Sequence, residues 1–178
     1  MKKWKVLSSE YLFKRPWLTV RKDCLQLPNN AVIDEYYVLE YPSWINVIAI
    51  TKDGRFVMVE QYRHGLGEVF TELVAGVVEK DEPPLEAAKR ELAEETGFGG
   101  GTWSLLTVLG PNPGNMNNLT YSYLATGVEL LGCQHLDETE DVGVRLMSES
   151  EVRSLLDNDN IKQALMAAPL WKYFATHG

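Results

Sequence analysis

The chain has 178 residues, and its 17 basic and 25 acidic side chains give a formal charge of −8. This length predicts one ordinary domain with room for a small appendage. The acidic balance argues against binding to nucleic acid or to an anionic membrane, because no basic stretch is available to replace their counterions. The chain also lacks an apolar run long enough for a signal peptide or a membrane span, so we expect a cytoplasmic protein.

The N-terminal part of the chain predicts an antiparallel sheet. Its segments are rich in β-branched and aromatic residues and are separated by proline and asparagine turns; they run from Trp4 to Glu10, from Trp17 to Leu27 and from Val32 to Tyr41. We therefore divide the chain into an N-terminal β-sheet element, residues 1–42, and a main domain, residues 43–178. The first element is either part of the main domain or a dimerisation element.

The next segments predict two strands, a short third strand and a helix. The strands run from Ile45 to Thr51 and from Phe56 to Gln61, and the Asp-Gly pair between them is a strong hairpin signal. A short strand from Phe70 to Leu73 leads into Ala75-Gly76. A helix then begins at Pro83 or Pro84 and ends at Thr96, where Gly97 predicts a left-handed stop.

The C-terminal part predicts three strands and two helices. The strands run from Trp103 to Leu109, from Leu119 to Thr126 and from Val142 to Met147; Ser148 begins a capped helix, and a last helix runs from Asn160 to Phe174. Cys24 and Cys133 lack metal-ligand spacing, which favours reduced, apolar cysteines over a disulfide.

Three carboxylates lie on one stripe of the predicted helix after Gly76. Glu91 precedes Glu94 by three residues and Glu95 by four, so the side chains are neighbours and repel one another. They border the packing stripe, at the rim of a cleft. Carboxylate oxygens bind hard divalent cations, often jointly with substrate phosphates. The pattern therefore indicates a metal site, and an ordinary solvated acidic face is the alternative.

The same segment matches the signature of the Nudix hydrolases, G-x5-E-x7-R-E-U-x-E-E-x-G-U, in which U is a bulky apolar residue. The fixed positions are filled by Gly76, Glu82, Arg90, Glu91, Leu92, Glu94, Glu95, Gly97 and Phe98. The resemblance implies an α/β (α+β) fold, in which a mixed central sheet lies between helices. It also implies hydrolysis of a nucleoside diphosphate linked to another group, with two or three Mg²⁺ or Mn²⁺ ions.

The resemblance further implies the metal ligands and a neighbour that holds them. The ligands are the carboxylates of Glu91, Glu94 and Glu95 and the main-chain carbonyl of Ala75. Arg90 is expected to hold one of these carboxylates in place, since its fork of donors fits that geometry. A lone surface ion pair is the alternative for Arg90.

Sequences outside the signature resemble the ADP-ribose pyrophosphatases and related nucleoside diphosphate sugar hydrolases. The stretch from Glu60 to Arg63 reads EQYR, and the stretch from Thr71 to Gly76 resembles their E-L-P-A-G string, with Val74 in place of the proline. This likeness implies that Arg63 and Glu72 bind the substrate, Arg63 at a phosphate or the terminal ribose. A surface charge on a strand is the alternative for Arg63.

Hydrolysis of a phosphoanhydride requires a base near the attacking water. In similar ADP-ribose hydrolases an acidic loop after the signature supplies it, and the segment from Asp137 to Asp141 predicts Glu138 and Glu140 for this role. Glu91 or Glu95 is the competing choice of base, and a polar hairpin end is the alternative for the loop.

Aromatic residues of the N-terminal sheet are candidates for stacking on the nucleobase. The residues proposed are Trp17 and Tyr37, with Tyr11 and Tyr36, although a core position is more typical of each.

Relatives of this kind are often homodimers that exchange their N-terminal sheets, so we expect a homodimer. Two alternative functions remain open. One is a hydrolase of nucleoside triphosphates or dinucleoside polyphosphates, and the other is a sensor that binds nucleotide sugars without turnover.

Overall fold

The computed structural model describes residues 1–177, which form two compact units. Met1–Pro42 and Gly110–Leu119 form the first unit, and Ser43–Leu109 and residues 120–177 form the second. Within the described residues, no helix combines the length and apolar character needed to cross a membrane. Cys24 and Cys133 are both free, so the alternative of a disulfide between them is wrong.

The first unit is an antiparallel sheet of three strands in the order β1-β2-β3, which confirms the predicted sheet. The strands are β1 (Lys5–Arg15), β2 (Leu18–Gln26) and β3 (Val32–Glu40). Strand β1 is longer than predicted because its pairing with β2 continues to Arg15. Every residue of β1 is exposed. The loop Gly110–Leu119 is tied to β3, because the Leu39 amide donates to the Asn115 carbonyl over 2.7 Å.

The second unit contains a mixed sheet in the order β10-β5-β6-β4-β9-β7, with β8 paired to β9. Its parallel pair is β4 with β9. The strands are β4 (Trp44–Thr51), β5 (Phe56–Arg63), β6 (Glu68–Val77), β7 (Phe98–Gly99), β8 (Thr102–Leu109), β9 (Thr120–Leu130) and β10 (Val142–Met147), and the helices are α1 (Pro84–Thr96), α2 (Glu149–Asp157) and α3 (Ala164–His177).

Helices cover both faces of this sheet because successive side chains of a strand point to opposite sides. On one face, the fully buried Ile45 and Val47 pack with Leu92 of α1. On the other face, Ile48 packs with residues of α2 and α3, including Leu170. The second unit is therefore an α/β/α sandwich, and the predicted fold class is confirmed.

Short-range signals correctly give both ends of α1 and the start of α2, whereas α3 begins and ends later than the predicted helix from Asn160 to Phe174. Helix α1 has a proline in its first turn and ends at Gly97, whose φ of 73° is left-handed. Ser148 and Glu151 form a capping box at the start of α2. Strand β6 differs from its prediction: it begins at Glu68 and ends at Val77, because it pairs first with β5 and then with β4.

Candidate active site

Two glutamates of α1 pack directly against the main chain of β6. A Cβ atom added to Gly76 would lie 2.0 Å from the carboxyl carbon of Glu91, so no larger residue fits there without moving that carboxylate. The Ala75 main chain makes a hydrogen bond that favours the charged form of Glu95 and so acts to lower its pKa. The Ala75-Gly76 segment thus fixes the positions of both carboxylates.

Glu95 lies inside the packed side of α1, with only 7% of its surface exposed. Its Oε2 atom is buried and has no hydrogen-bond partner. Burial, followed by the charges of Glu91 and Glu140, raises the pKa of Glu95 to about 8. The expectation that all three glutamates border the packing stripe is therefore wrong for Glu95, because α1 lies close enough to β6 to cover it.

Burial also raises the pKa of Glu91, although the neighbouring Arg90 acts in the opposite direction. The charges of Glu94 and Glu140 raise the pKa of Glu91 further. Two adjacent carboxyl groups whose pKa values are raised first by burial and then by neighbouring negative charges are costly to keep ionised without a nearby cation. A bound cation would relieve this cost.

Arg90 holds the acidic residues of the signature together. Its Nε and Nη2 atoms contact both carboxylate oxygens of Glu82, at 2.9 and 3.0 Å. Its Nη1 atom donates to Glu91 and to Glu94, each over 3.0 Å, and Nη2 also donates to the Val77 carbonyl over 3.1 Å. These five contacts join α1 to the end of β6, and they exclude the alternative of a lone surface ion pair.

Glu82 is the main anchor of Arg90. Besides the fork from Arg90, its carboxylate accepts a hydrogen bond of 3.0 Å from the Glu79 amide. The bond from Arg90 is the largest cause that lowers the pKa of Glu82. Glu82 is thus charged and fully engaged, whereas Glu95 keeps an unpartnered oxygen. Glu82 therefore positions Arg90, and Glu95 remains available to a ligand.

The donor set is suited to a hard divalent cation. Carboxylates of Glu91, Glu94 and Glu95 and the Ala75 carbonyl supply only oxygen atoms, which Mg²⁺ and Mn²⁺ prefer. Among residues 1–177, no three or more His, Cys, Asp or Glu side chains already form a metal-binding group. Arg90 occupies one oxygen each of Glu91 and Glu94. The buried Oε2 of Glu95 is the atom that best fits the cation.

Arg63 and Glu72 lie together, as predicted for two residues of one substrate site. Arg63 donates from Nε and Nη2 to Oε2 of Glu72, over 2.9 and 2.6 Å. Glu72 is almost completely buried, while Arg63 is partly exposed. The positive charge of Arg63 also acts to lower the pKa of Glu95. Glu72 thus holds Arg63 in place, and the charge of Arg63 acts on Glu95.

The acidic loop brings one of its two candidates close to the carboxylates. The charge of Glu140 raises the pKa of both Glu91 and Glu95. The Glu140 carboxylate accepts a hydrogen bond of 3.0 Å from the Asp137 amide, which helps to orient it. Glu138 is exposed and is not among the main charges that act on either glutamate. The electrostatic effect on Glu91 and Glu95 therefore favours Glu140 over Glu138.

The aromatic candidates of the first unit are exposed to solvent. Trp17 has 80% of its surface exposed, Tyr11 50% and Tyr37 46%, so a core position is wrong for these three. Tyr36 is partly buried, and its hydroxyl donates to the Gly114 carbonyl. Exposed aromatic faces are available for stacking, and the role of Trp17 and Tyr37 in binding a base stays a prediction.

The sequence interpretation missed a group of buried polar residues near Ala75. Asn46, Thr120 and Ser122 are at most 1% exposed, and each has a side-chain oxygen without a hydrogen-bond partner. A polar residue inside the apolar segment Trp44–Thr51 was a signal for Asn46. Thr120 and Ser122 gave no such signal, since small hydroxyl residues are common in strands.

Comparison with known proteins identifies the class of this protein. Residues 41–168 match the NUDIX domain, and residues 4–39 match the nucleoside diphosphate sugar hydrolase N-terminal domain. A crystal structure of an ADP compounds hydrolase superposes with a TM-score of 0.86 at 21% identity, covering 98% of this chain and 94% of that one. That structure supports the fold.

Characterised relatives agree with the family match. An ADP-ribose pyrophosphatase of Mycobacterium tuberculosis is 30% identical over 98% of this chain and 86% of its own. One from Bacillus subtilis is 28% identical over 92% of this chain and 88% of its own. A methanol dehydrogenase activator of Bacillus methanolicus is 34% identical over 78% of this chain and 75% of its own. The chain belongs to the Nudix hydrolases, and it is a pyrophosphohydrolase similar to the ADP-ribose pyrophosphatases.

Replacing Arg90 with lysine should destabilise the fold. One ammonium group cannot reproduce the fork to Glu82 together with the bonds to Glu91 and Glu94, so buried carboxylates lose partners. We expect Arg90→Lys to lower the free energy of unfolding by about 1 to 3 kcal/mol in urea denaturation. Lys89→Ala, which removes only the exposed pair with Glu86, should change it by less than about 0.5 kcal/mol. Equal stability of Arg90→Lys and the parent would contradict the role of the fork.

Proposed function

We propose that this enzyme hydrolyses the pyrophosphate bond of ADP-ribose or another nucleoside diphosphate sugar to a nucleoside monophosphate and a sugar phosphate. The observation that carries the proposal is the pair Glu91 and Glu95, packed against Ala75-Gly76 with one buried oxygen left unpartnered. The match of residues 4–39 to the N-terminal domain of nucleoside diphosphate sugar hydrolases supports this substrate class.

The proposed cofactor is Mg²⁺ or Mn²⁺, with two or three ions per site. Glu91, Glu94, Glu95 and the Ala75 carbonyl would hold it, and when bound it would neutralise phosphoryl charge and lower the pKa of a water molecule. Arg90 bonds to Glu91 and Glu94 and holds them in place, and the positive charge of the partly exposed Arg63 acts on Glu95. Arg63 is therefore placed to bind a phosphate oxygen.

In the proposed reaction, a water oxygen bonds to one phosphorus while the bridging P–O bond breaks, and the electron pair stays on the leaving phosphate. Glu140 takes a proton from the attacking water. It is the loop carboxylate whose charge acts on both Glu91 and Glu95. Glu91 and Glu95 serve as ligands rather than as the base.

The alternative substrates have less support. A preference for triphosphates or dinucleoside polyphosphates would not account for the N-terminal domain match. A sensor without turnover would be expected to have lost carboxylates of the signature, whereas every fixed position from Gly76 to Phe98 is kept. The proposal also places the enzyme in the cytoplasm, because free cysteines suit a reducing compartment.

The function is tested by incubating the purified protein with nucleotide sugars, nucleoside triphosphates and dinucleoside polyphosphates, each with Mg²⁺ and with chelator. We expect a nucleoside monophosphate and a sugar phosphate from ADP-ribose or a related compound, and no product with chelator. Preferential cleavage of triphosphates would support the alternative enzyme. Binding without any product from folded protein would support the sensor.

Glu95→Gln should abolish most of this activity. The neutral amide cannot supply the anionic oxygen that the cation needs, so we expect turnover to fall by at least about a hundredfold and metal affinity to weaken. Glu86→Gln is the matched control, because Glu86 lies on the same helix but is exposed and paired with Lys89. Near-normal turnover of Glu95→Gln would remove Glu95 from the site.

Glu140→Gln should slow hydrolysis while nucleotide affinity stays close to that of the parent. Loss of a general base typically lowers kcat by about 10²- to 10⁴-fold. Glu138→Gln changes a carboxylate of the same loop that is not among the main charges acting on Glu91 or Glu95, and it should lower kcat less. The comparison uses saturating substrate and a separate binding measurement. Parent-like kcat in both variants would exclude the loop as the source of the base.

We also propose that the first unit forms a homodimer interface with a second copy of the chain. Strand β1 is an edge strand that is exposed along its whole length. It carries the exposed apolar side chains Val6, Leu7, Tyr11, Leu12 and Phe13. An edge strand with such a surface is covered by another chain or is prone to aggregate.

Light scattering in solution should give a mass of about twice the 20.1 kDa of one chain. Phe13→Glu, which places a charge on the β1 surface, should shift the protein to a single-chain mass. Leu131→Glu is the control, since Leu131 is exposed in the second unit. A single-chain mass for the parent would contradict the dimer.

A further inference from the structure

A cavity of about 230 Å³ adjoins the carboxylate site within the second unit. Ala75 and Gly76, whose main chain positions Glu95 and Glu91, line one side of it, and Arg63 also contributes to its wall. Asn46 and Thr120 line the cavity as well. The cavity therefore extends from the residues assigned to the diphosphate toward a polar region between β4 and β9.

The pairing of the two parallel strands places the polar side chains beside one another. Trp44 pairs with Thr120, and Asn46 pairs with Ser122. Alternate residues of a strand share one face, so Asn46, Thr120 and Ser122 lie on the same face of the sheet. It is the face that packs against α3, because the Asn46 side-chain amide donates to the Leu165 carbonyl over 2.7 Å.

These three side chains have hydrogen-bonding capacity that the protein does not use. Oδ1 of Asn46, Oγ1 of Thr120 and Oγ of Ser122 are buried and without partners. The bond to Leu165 fixes the amide of Asn46, so its oxygen is the atom left over. Buried polar groups in folded proteins are nearly always partnered, and an unpartnered one is destabilising. Three such atoms in one place indicate a polar occupant.

The hydrogen-bonding chemistry of these three side chains indicates which kind of ligand the cavity can hold. Asn46 Oδ1 only accepts hydrogen bonds, while the two hydroxyls can donate or accept. All three are neutral, so none of them supplies the positive charge that would favour a second phosphate. The cavity is also smaller than the roughly 300 to 1,000 Å³ typical of sites for drug-sized ligands. A neutral polyol the size of one sugar ring fits these constraints.

We propose that Asn46 and Thr120, with Ser122 buried beside Asn46, form the subsite for the hydroxyl groups of the non-nucleotide sugar. This inference rests on the proposed function, since it places the diphosphate at Ala75-Gly76. Ala75 and Gly76 line the cavity, so the group attached directly to that diphosphate would enter it. The subsite makes the enzyme select a sugar over other groups esterified to the same diphosphate.

The test compares Thr120→Val with the parent on two substrates, ADP-ribose and the ethyl ester of ADP, which lacks the sugar hydroxyls. Valine keeps the shape of threonine but removes the hydroxyl. We expect kcat/KM for ADP-ribose to fall roughly tenfold, as for loss of one buried hydrogen bond, with no change for the ethyl ester. Ser122→Ala, at the buried hydroxyl beside Asn46, should have a smaller effect in the same direction. Thr126→Val is the matched control, because Thr126 is an exposed residue of the same strand.

Equal losses on both substrates, or no loss on either, would overturn the subsite. The latter result is expected if the cavity holds only ordered water. Titration calorimetry with ribose 5-phosphate and ethyl phosphate provides a readout that does not need turnover. The parent should bind ribose 5-phosphate more tightly, and Thr120→Val should remove the difference. If no substrate is cleaved but this difference is present, the proposed function fails and the subsite stands; equal binding of both phosphates by the parent overturns the subsite.

Discussion

The close approach of Glu91 to Gly76 is the constraint on which the site depends. The Glu91 carboxylate occupies the space that a Cβ atom of residue 76 would need, so α1 can lie against β6 only where β6 has a glycine. This approach also buries Glu95 beside the Ala75 main chain. Burial removes water from both carboxylates and raises both pKa values. The packing of α1 against β6 therefore produces buried carboxylates whose charged forms a cation would stabilise.

Arg90 stabilises the cluster of carboxylates without neutralising all of their negative charge. Its strongest contacts go to Glu82, which lies in the loop before α1, and only single bonds reach Glu91 and Glu94. These bonds do not extend to Glu95, whose buried Oε2 atom has no hydrogen-bond partner. The fork thus fixes the geometry of the acidic group while leaving its negative potential available to a metal ion and, through that ion, to a diphosphate.

Features that depend on a few adjacent residues could be predicted from the sequence. The start of α1 at its proline, its end at Gly97 and the capping box at Ser148 are examples. The extent of β6 could not be predicted in this way, because its last residues become a strand only by pairing with β4. For the same reason the burial of Glu95 was missed, since helical spacing gives the direction of a side chain but not the distance to the neighbouring sheet.

The grouping of Asn46 with Thr120 and Ser122 could not be predicted from the sequence either. It depends on the register of a parallel pair whose strands are far apart in the chain, and such a register has no local signal. The pairing of Asn46 with Ala75 in the neighbouring strand connects this group to the carboxylate site. Strand β4 therefore lies between two chemically different regions: its pairing with β6 adjoins the anionic residues that attract a metal ion, and its pairing with β9 forms a neutral polar surface. The proposed substrate, a diphosphate joined to a polyol, would use both regions, whereas a triphosphate would use only the anionic one.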